Sequence, residues 1–153
     1  MKRTVSVMIA LAFVLGANAL RANAESDTSA PVAVVTTLFS SINDQDAASK
    51  LFVEQPDVTD AFPAFHWHGT TAFKDWMADF AKDSAKNKDT DFKFTVGKPL
   101  TAVVVGDRAN VIVPVALDLK EAGKPGHYDG LTNVVLSKTG DVWKIEAFTW
   151  TTK

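Results

Sequence analysis

The chain reads Ala-Asn-Val-Ile-Val-Pro-Val-Ala-Leu-Asp-Leu over residues 109–119, and an apolar side chain recurs at every second position from Ala109 to Leu119. Successive side chains of a β-strand point to opposite faces of a sheet, so this alternation predicts a long strand with one buried face. The residues on the predicted buried face are Ala109, Val111, Val113, Val115, Leu117 and Leu119.

Turn-forming residues separate this strand from its neighbours. Gly106-Asp107 precedes it, a loop over Ala122–Gly126 follows it, and Thr139-Gly140-Asp141 marks a later turn. Gly97-Lys98-Pro99 indicates a bulge or kink between two earlier strands. Long strands joined by short turns form an antiparallel meander. The other predicted strands cover residues 92–96, 100–105, 127–136 and 142–151.

The part of the chain before residue 88 has helical periodicity in three places. A first helix is predicted to begin near Pro31, because proline suits the first turn of a helix. Asp46 is predicted to cap a short second helix over Ala47–Phe52. Gly69-Thr70-Thr71 then precedes the third helix, whose apolar face consists of Phe73, Trp76, Met77 and Phe80.

Between the second and third helices, Val53–His68 contains prolines and aspartates that break regular structure together with apolar residues that can pack. This pattern predicts short strands joined by a tight, proline-bearing turn. Three helices followed by a curved antiparallel sheet indicate an α+β domain with the helices on one face of the sheet.

Three stretches, taken in order, resemble a known family. They are residues 46–69, the third helix from Gly69 to Phe80, and the tail from Gly140-Asp141-Val142-Trp143 to Trp150. Over residues 30–152 they are similar to the SnoaL-like and ketosteroid-isomerase-like proteins of the nuclear transport factor 2-like superfamily. The resemblance implies a cone-shaped, curved mixed or antiparallel sheet packed against three N-terminal helices, with a pocket at the open end. Its members include isomerases, dehydratases, cyclases and binding modules, so the fold alone does not assign a function.

Asp60 is the first candidate for chemistry. Counted back from Gly69, it falls where ketosteroid-isomerase-like proteins place their general-base aspartate, and the resemblance implies that role. A carboxylate surrounded by Phe62, Phe65 and Trp76 would have a raised pKa, which suits a base. The alternative is a turn aspartate that binds nearby backbone N–H groups before Pro63.

Asn133 is the second candidate. Counted back from the C-terminal tail, with a one-residue gap near Gly140, it falls near the position of the family's oxyanion donor. An amide NH₂ can donate to a developing enolate. The alternative is an ordinary strand residue that hydrogen-bonds to a neighbour. The family's oxyanion tyrosine corresponds to Phe39, which has no hydroxyl, and this departure argues against a steroid isomerase.

His66-Trp67-His68 is a third candidate, because residues two apart on a strand share a face. The pair could supply a general base that assists Asp60, or it could flank a buried Trp67 as half-exposed surface residues. The spacing has no metal signature, and a metal site is not predicted. The expected lining of the pocket is apolar and aromatic: Phe39, Phe62, Phe65, Trp76, Tyr128, Phe148 and Trp150.

The first 24 residues have the pattern of a secretory signal peptide. Lys2 and Arg3 give a positive start, Val5–Leu15 is an apolar run, and Ala22-Asn23-Ala24 offers small residues to signal peptidase. The run is shorter than the roughly 20 apolar residues of a membrane-spanning helix. We therefore expect residues 25–153 to form one exported domain, periplasmic or secreted, without a membrane anchor after cleavage.

Composition limits the partners of that domain. Residues 25–153 carry 13 basic and 18 acidic side chains, which opposes nucleic acid and anionic membranes as partners. The chain has no cysteine, and therefore no disulfide and no thiol nucleophile. No phosphate-cradling loop, nucleophile elbow or HExxH pattern is present, so no cofactor is predicted.

Two function classes remain open. The first is an exported protein that binds a small, largely apolar molecule, with acid–base chemistry of the isomerase, dehydratase or cyclase type next to a carbonyl and Asp60 as base. The second is a non-catalytic ligand-binding or dimerisation module. The sheet face turned away from the helices carries valine and leucine residues among polar ones. We expect two copies of the chain to pair through this face as a homodimer.

The signal sequence generates a direct prediction about processing. N-terminal sequencing of the exported protein should begin at Glu25, because Ala22 and Ala24 are the small residues that signal peptidase reads. A mature start within residues 1–20, or retention of the protein in the membrane, would contradict it.

Overall fold

A computed structural model describes residues 27–153, and the predicted signal peptide, residues 1–24, lies outside the described residues. The described part forms three helices and seven strands. The helices are α1 (Ser29–Ser41), α2 (Gln45–Ser49) and α3 (Ala72–Asn87). The strands are β1 (Phe52–Thr59), β2 (His66–His68), β3 (Asp89–Val96), β4 (Thr101–Val105), β5 (Arg108–Glu121), β6 (Lys124–Thr139) and β7 (Val142–Thr152).

The strands form one mixed sheet in the order β2-β1-β7-β6-β5-β3, and β4 also pairs with β5. β1 runs parallel to β7, whereas every other pair is antiparallel. Register shifts in β1, β3 and the β6–β7 pair mark irregularities of the kind that bend strands. The sheet is curved and does not close, so the predicted α+β cone is confirmed.

The inner face of the sheet holds the core. Val111, Val113 and Val115 of β5 are at most 1% exposed, whereas the intervening residues are half-buried. The predicted alternation of this strand is therefore confirmed, and β6 and β7 continue it with Val134 and Phe148. Helices α1 and α3 cover this face with Val35, Leu38, Phe39, Phe73, Trp76 and Met77.

The second helix differs from its prediction. It spans Gln45–Ser49, and its cap is Asp44, whose carboxylate accepts a hydrogen bond from the Ala47 N–H at 3.0 Å. Asp44 and Asp46 are both capping residue types. The carboxylate of Asp44 reaches the backbone N–H three residues later, which is the contact that an N-cap makes. Phe52 leaves the helix and begins β1, where it is 5% exposed.

The predicted loop over residues 122–126 is shorter in the structure. Ala122 and Gly123 have φ angles of 47° and 84°, so they form a two-residue turn with positive φ at both positions. Such a turn matches the twist of a β-hairpin and lets β6 start at Lys124.

In the part of the chain that the structure describes, no helix has the length and apolar character needed to cross a membrane.

Candidate ligand-binding cavity

A cavity of about 620 Å³ lies between helices α1 and α3 and the inner face of the sheet. This is within the range of roughly 300–1,000 Å³ that is typical of small-molecule sites. Residues of β3, β5, β6 and β7 form the sheet side of its wall. Nine of the lining side chains are aromatic: Phe39, Phe62, Trp76, Phe80, Phe92, Phe94, Tyr128, Phe148 and Trp150.

The aromatic rings hold one another in place. The ring of Phe148 lies 5.0 Å from that of Trp76 and 6.2 Å from that of Phe39, measured between centroids. Phe80 contacts Phe92 and Phe62 in the same way, at 5.1 and 5.7 Å. Tilted pairs at these distances stabilise aromatic clusters beyond simple burial. The wall of the cavity is therefore continuous with the core.

Gly130 leaves room for the Trp150 ring at the cavity wall, a role that was not predicted from the sequence. It pairs with Thr152 on the inner face of β6, next to the position where Trp150 projects from β7. A Cβ atom at Gly130 would lie 2.6 Å from Cζ2 of Trp150, which is closer than real contacts allow. The absence of a side chain lets the indole lie over the β6 backbone. A glycine inside a strand is the sequence signal for such a close approach.

Asp60 lies directly after β1 and borders the cavity. Its backbone N–H donates to the Phe65 carbonyl at 3.2 Å, which closes the turn between β1 and β2. One carboxylate oxygen accepts from the Ala61 N–H at 2.7 Å, and the other accepts from the indole N–H of Trp76 at 2.9 Å. The turn and the third helix together fix this carboxylate at the wall.

Burial raises the pKa of Asp60 from 3.8 to about 6, although the hydrogen bonds from Ala61 and Trp76 both favour the ionised form. The carboxyl group consequently titrates close to neutral pH. A group of this kind can accept or return a proton under ordinary conditions.

A second group of acids lines the cavity where α3 meets β3 and β5. It consists of Asp83, Asp89 and Glu121, and the sequence analysis did not single out any of them. Burial raises the pKa of Asp89, and the charges of Glu121 and Asp83 raise it further. Tyr128 donates its hydroxyl hydrogen bond to Glu121, and this bond raises the pKa of the tyrosine.

His66 and His68 share a face of β2, as predicted, but it is the outer face. Trp67 between them points inward and is 6% exposed. Both imidazoles contact one carboxylate oxygen of Asp57, His66 through Nε2 at 3.0 Å and His68 through Nδ1 at 2.9 Å. The hydrogen bond from His66 is the main cause that holds the pKa of Asp57 below its ordinary value. The structure therefore does not bring either histidine to Asp60 or to the cavity.

Asn133 also points away from the cavity. It pairs with Ile112 and Thr149, whereas its neighbours Thr132 and Val134 are the fully buried, inward residues of β6. Its side-chain oxygen accepts from the Asn110 amide at 2.6 Å on the outer face. Asn133 therefore does not reach the cavity that Asp60 borders, and its predicted role as an oxyanion donor is wrong. A one-residue error in a strand moves a side chain to the other face, and the count from the tail to Asn133 crosses a register shift between Val135 and Leu136 in the β6–β7 pair.

The predicted aromatic lining is met by every member except Phe65, which is 55% exposed and does not border the cavity. Phe65 ends the turn after β1 with a φ of 69°, and its N–H donates to the Phe62 carbonyl. This tight turn directs Phe62 inward against Trp67 and Phe80 and leaves Phe65 at the surface.

Between residues 27 and 153, no group of three or more acidic, histidine or cysteine side chains is arranged to hold a metal ion.

Comparison with known proteins identifies the fold. No protein-family model matches the chain, and no curated protein sequence matches it. Among solved structures, it is similar to an NTF2-like protein with a cystatin-like fold from Novosphingobium aromaticivorans, with 16% identity and a TM-score of 0.66 over 81% of this chain and 80% of the other. A protein provisionally assigned as a scytalone dehydratase, from the same organism, has 19% identity and a TM-score of 0.66, with 81% and 82% covered.

A ketosteroid isomerase-like protein from Erwinia carotovora atroseptica is also similar, with 11% identity and a TM-score of 0.62 over 83% of this chain and 96% of the other. At these identities the likeness shows the fold alone. The chain therefore has the fold of the nuclear transport factor 2-like superfamily, as the sequence resemblance predicted.

The raised pKa of Asp60 predicts a pH-dependent contribution to stability. The native state holds this proton more tightly than the unfolded chain, so Asp60 stabilises the fold below about pH 4, and this contribution is lost as the pH rises through about 6. In Asp60→Asn the contribution is absent. The free energy of unfolding of the variant, relative to the native protein, should therefore increase from pH 4 to pH 7 by about 3 kcal/mol at most.

Urea unfolding at a series of pH values measures this difference. The loss of one hydrogen bond in Asp60→Asn shifts the whole curve equally and does not affect its slope. Glu54→Gln, an exposed carboxylate on β1, is the matched control and should show a difference that does not vary with pH. A flat difference for Asp60→Asn would show that Asp60 titrates as an ordinary aspartate.

Proposed function

We propose that this protein binds a small, largely apolar molecule in the cavity beneath the curved sheet. The observation that carries the proposal is a preformed space of about 620 Å³, walled by nine aromatic side chains and reached by the carboxylate of Asp60. An apolar wall with a few fixed polar groups is the usual design of a site that binds and orients a small molecule.

A neutral fluorescent probe, N-phenyl-1-naphthylamine, tests this binding. We expect saturable binding to the native protein, seen as energy transfer from tryptophan, because Trp76 and Trp150 border the cavity. Leu117→Trp places a large ring into the same space and should weaken binding by about tenfold or more. Val103→Trp is the control, since Val103 is 50% exposed on β4 and does not line the cavity. Equal affinity of both variants would place the probe elsewhere.

Proton transfer by Asp60 next to a carbonyl is a second proposal, which the raised pKa of this carboxyl group supports. His66, His68 and Asn133 are not available to assist, because their side chains lie on the outer face. Tyr128 borders the cavity, and its hydroxyl donates a hydrogen bond to Glu121. The arrangement therefore offers a proton acceptor for enolisation, whereas the single hydroxyl proton of Tyr128 is donated to Glu121 and that bond raises the pKa of the tyrosine.

Exchange of the α-protons of 2-tetralone in D₂O, followed by NMR, tests this proposal. The native protein should accelerate exchange over buffer, and Asp60→Asn should abolish the acceleration while it keeps the affinity for the fluorescent probe within about twofold, since the amide preserves shape and removes the proton acceptor. Exchange no faster than in buffer would leave the protein as a binding module.

Export to the periplasm or the extracellular space remains part of the proposal and depends on the signal sequence alone. Pairing of two copies through the outer sheet face is a further part. That face carries half-buried apolar side chains on two neighbouring strands: Ile112 on β5, and Leu131 and Val135 on either side of Asn133 on β6.

Light scattering at micromolar concentration should show a homodimer of residues 25–153. Val135→Arg should dissociate it, because the substitution puts a charge at the centre of the outer face. Val142→Arg, at a position that is 56% exposed near the start of β7, should leave the dimer intact. A monomeric native protein would contradict the pairing.

A further inference from the structure

The charges that border the cavity are all negative. Asp60, Asp83, Asp89 and Glu121 line it, and among the lining residues of the described chain there is no lysine, arginine or histidine. Within residues 27–153, no basic side chain forms an ion pair with any of these four carboxylates. Uncompensated carboxylates around a partly enclosed apolar space are electrostatically unfavourable.

The basic residues nearby are directed elsewhere by strand alternation. Lys120 precedes Glu121 on β5, but its ammonium pairs with Asp91 at 2.7 Å rather than with a cavity carboxylate. His127 precedes Tyr128 on β6 and pairs with Asp118 at 2.6 Å. The residues that follow them and face the cavity are Glu121 on β5 and Tyr128 on β6, and Tyr128 donates a hydrogen bond to Glu121. The protein therefore supplies counter-charges for its surface acids and none for the cavity.

One cavity carboxylate has an open hydrogen-bonding position. Asp89 is half-buried, and a hydrogen bond from the Asn87 side chain to its carboxyl group acts to lower its pKa, whereas the buried Oδ1 atom has no hydrogen-bond partner among the described residues. A buried acceptor without a donor is uncommon in proteins and calls for a partner. Asp89 pairs in register with Glu121, so this atom belongs to the same acidic group at the cavity wall.

The aromatic wall supplies the second half of a cation site. The faces of tryptophan, tyrosine and phenylalanine rings attract an organic cation, and the attraction grows when water is excluded. Trp76, Tyr128 and Trp150 border the same space as the four carboxylates. Aromatic faces together with unpaired acids are the groups that recognise a protonated amine or a quaternary ammonium.

We propose that the cavity selects organic cations: ligands with an apolar, ring-sized body and an amine or quaternary ammonium group that meets the Asp83–Asp89–Glu121 carboxylates. This inference deepens the proposed function and rests on it. Such a cavity also discriminates between ligands of equal shape, because a neutral molecule leaves the carboxylates uncompensated and an anionic molecule is repelled by them.

Two probes of nearly identical shape test the charge preference. Benzyltrimethylammonium and neopentylbenzene differ by one nitrogen in place of one carbon, and therefore by one positive charge. The native protein should bind the cation at least about tenfold more tightly than the hydrocarbon, as measured by displacement of N-phenyl-1-naphthylamine. The anion 3-phenylpropanoate should bind more weakly than both.

Variants assign the preference to the cavity acids. Glu121→Gln retains an acceptor for the Tyr128 hydroxyl and should reduce the cation preference by about fivefold or more. Asp89→Asn provides an independent second variant with the same expected direction. Glu54→Gln removes an exposed charge of the same type outside the cavity and should leave the preference unchanged.

The outcomes separate this inference from the proposed function. Equal or tighter binding of neopentylbenzene would overturn the cation preference and leave the apolar binding function intact. A cation preference that Glu54→Gln reduces as much as Glu121→Gln would also overturn it, since the effect would then come from overall charge. No displacement by either probe and no binding of the fluorescent probe would overturn both proposals.

Discussion

The two-residue periodicity of β5, β6 and β7 is the constraint from which the rest of this structure follows. Every second side chain of β5 and β6 faces the helices, and β7 follows the same alternation on either side of one irregularity between Ile145 and Ala147. The same face forms both the core and the wall of the cavity. Val113 and Val134 lie in its packed part, whereas Leu117, Tyr128 and Trp150 border the open part. Because strand geometry fixes the face of each side chain, sequence position decides which residues can touch a ligand.

This constraint explains what could be predicted from the sequence. The alternation over residues 109–119 predicted the orientation of β5, and the apolar face of α3 predicted the layer that covers it. Asp60 was placed by its distance from Gly69, within a short segment that contains no gap. The face of a strand residue depends on an even or odd count, and the count from the tail to Asn133 crosses both the gap near Gly140 and the register shift between Val135 and Leu136, so it could not decide the face of Asn133.

Other parts of the site could not be predicted, for physical reasons that differ. The histidine pair was expected to share a face, but a three-residue strand does not say which face that is, and burial of Trp67 decides it. The acids Asp83, Asp89 and Glu121 lie on three elements, and only the folded chain brings them together. In sequence they look like ordinary surface charges, which is what most acidic residues are.

The buried carboxylate of Asp60 indicates a balance between stability and use. Its environment favours the neutral acid, yet Trp76 and Ala61 hold both of its oxygens as acceptors. A glutamine, asparagine or apolar residue there would avoid the cost of a buried charge. Groups that oppose the local preference for burial are concentrated at sites of function, where stability is exchanged for a poised side chain.

The two ends of the sheet have a consequence for how copies of this chain meet. At one end, β2 has only three residues, and its outer side chains are the polar His66 and His68. At the other end, a positive φ at Asp91 and a register shift in β3 interrupt the ladder. Short or irregular edges resist strand addition from a neighbouring molecule. The β2 and β3 edges are thereby protected against strand addition, whereas β4, which pairs with β5 at the second edge, carries the exposed Val103 and Val105.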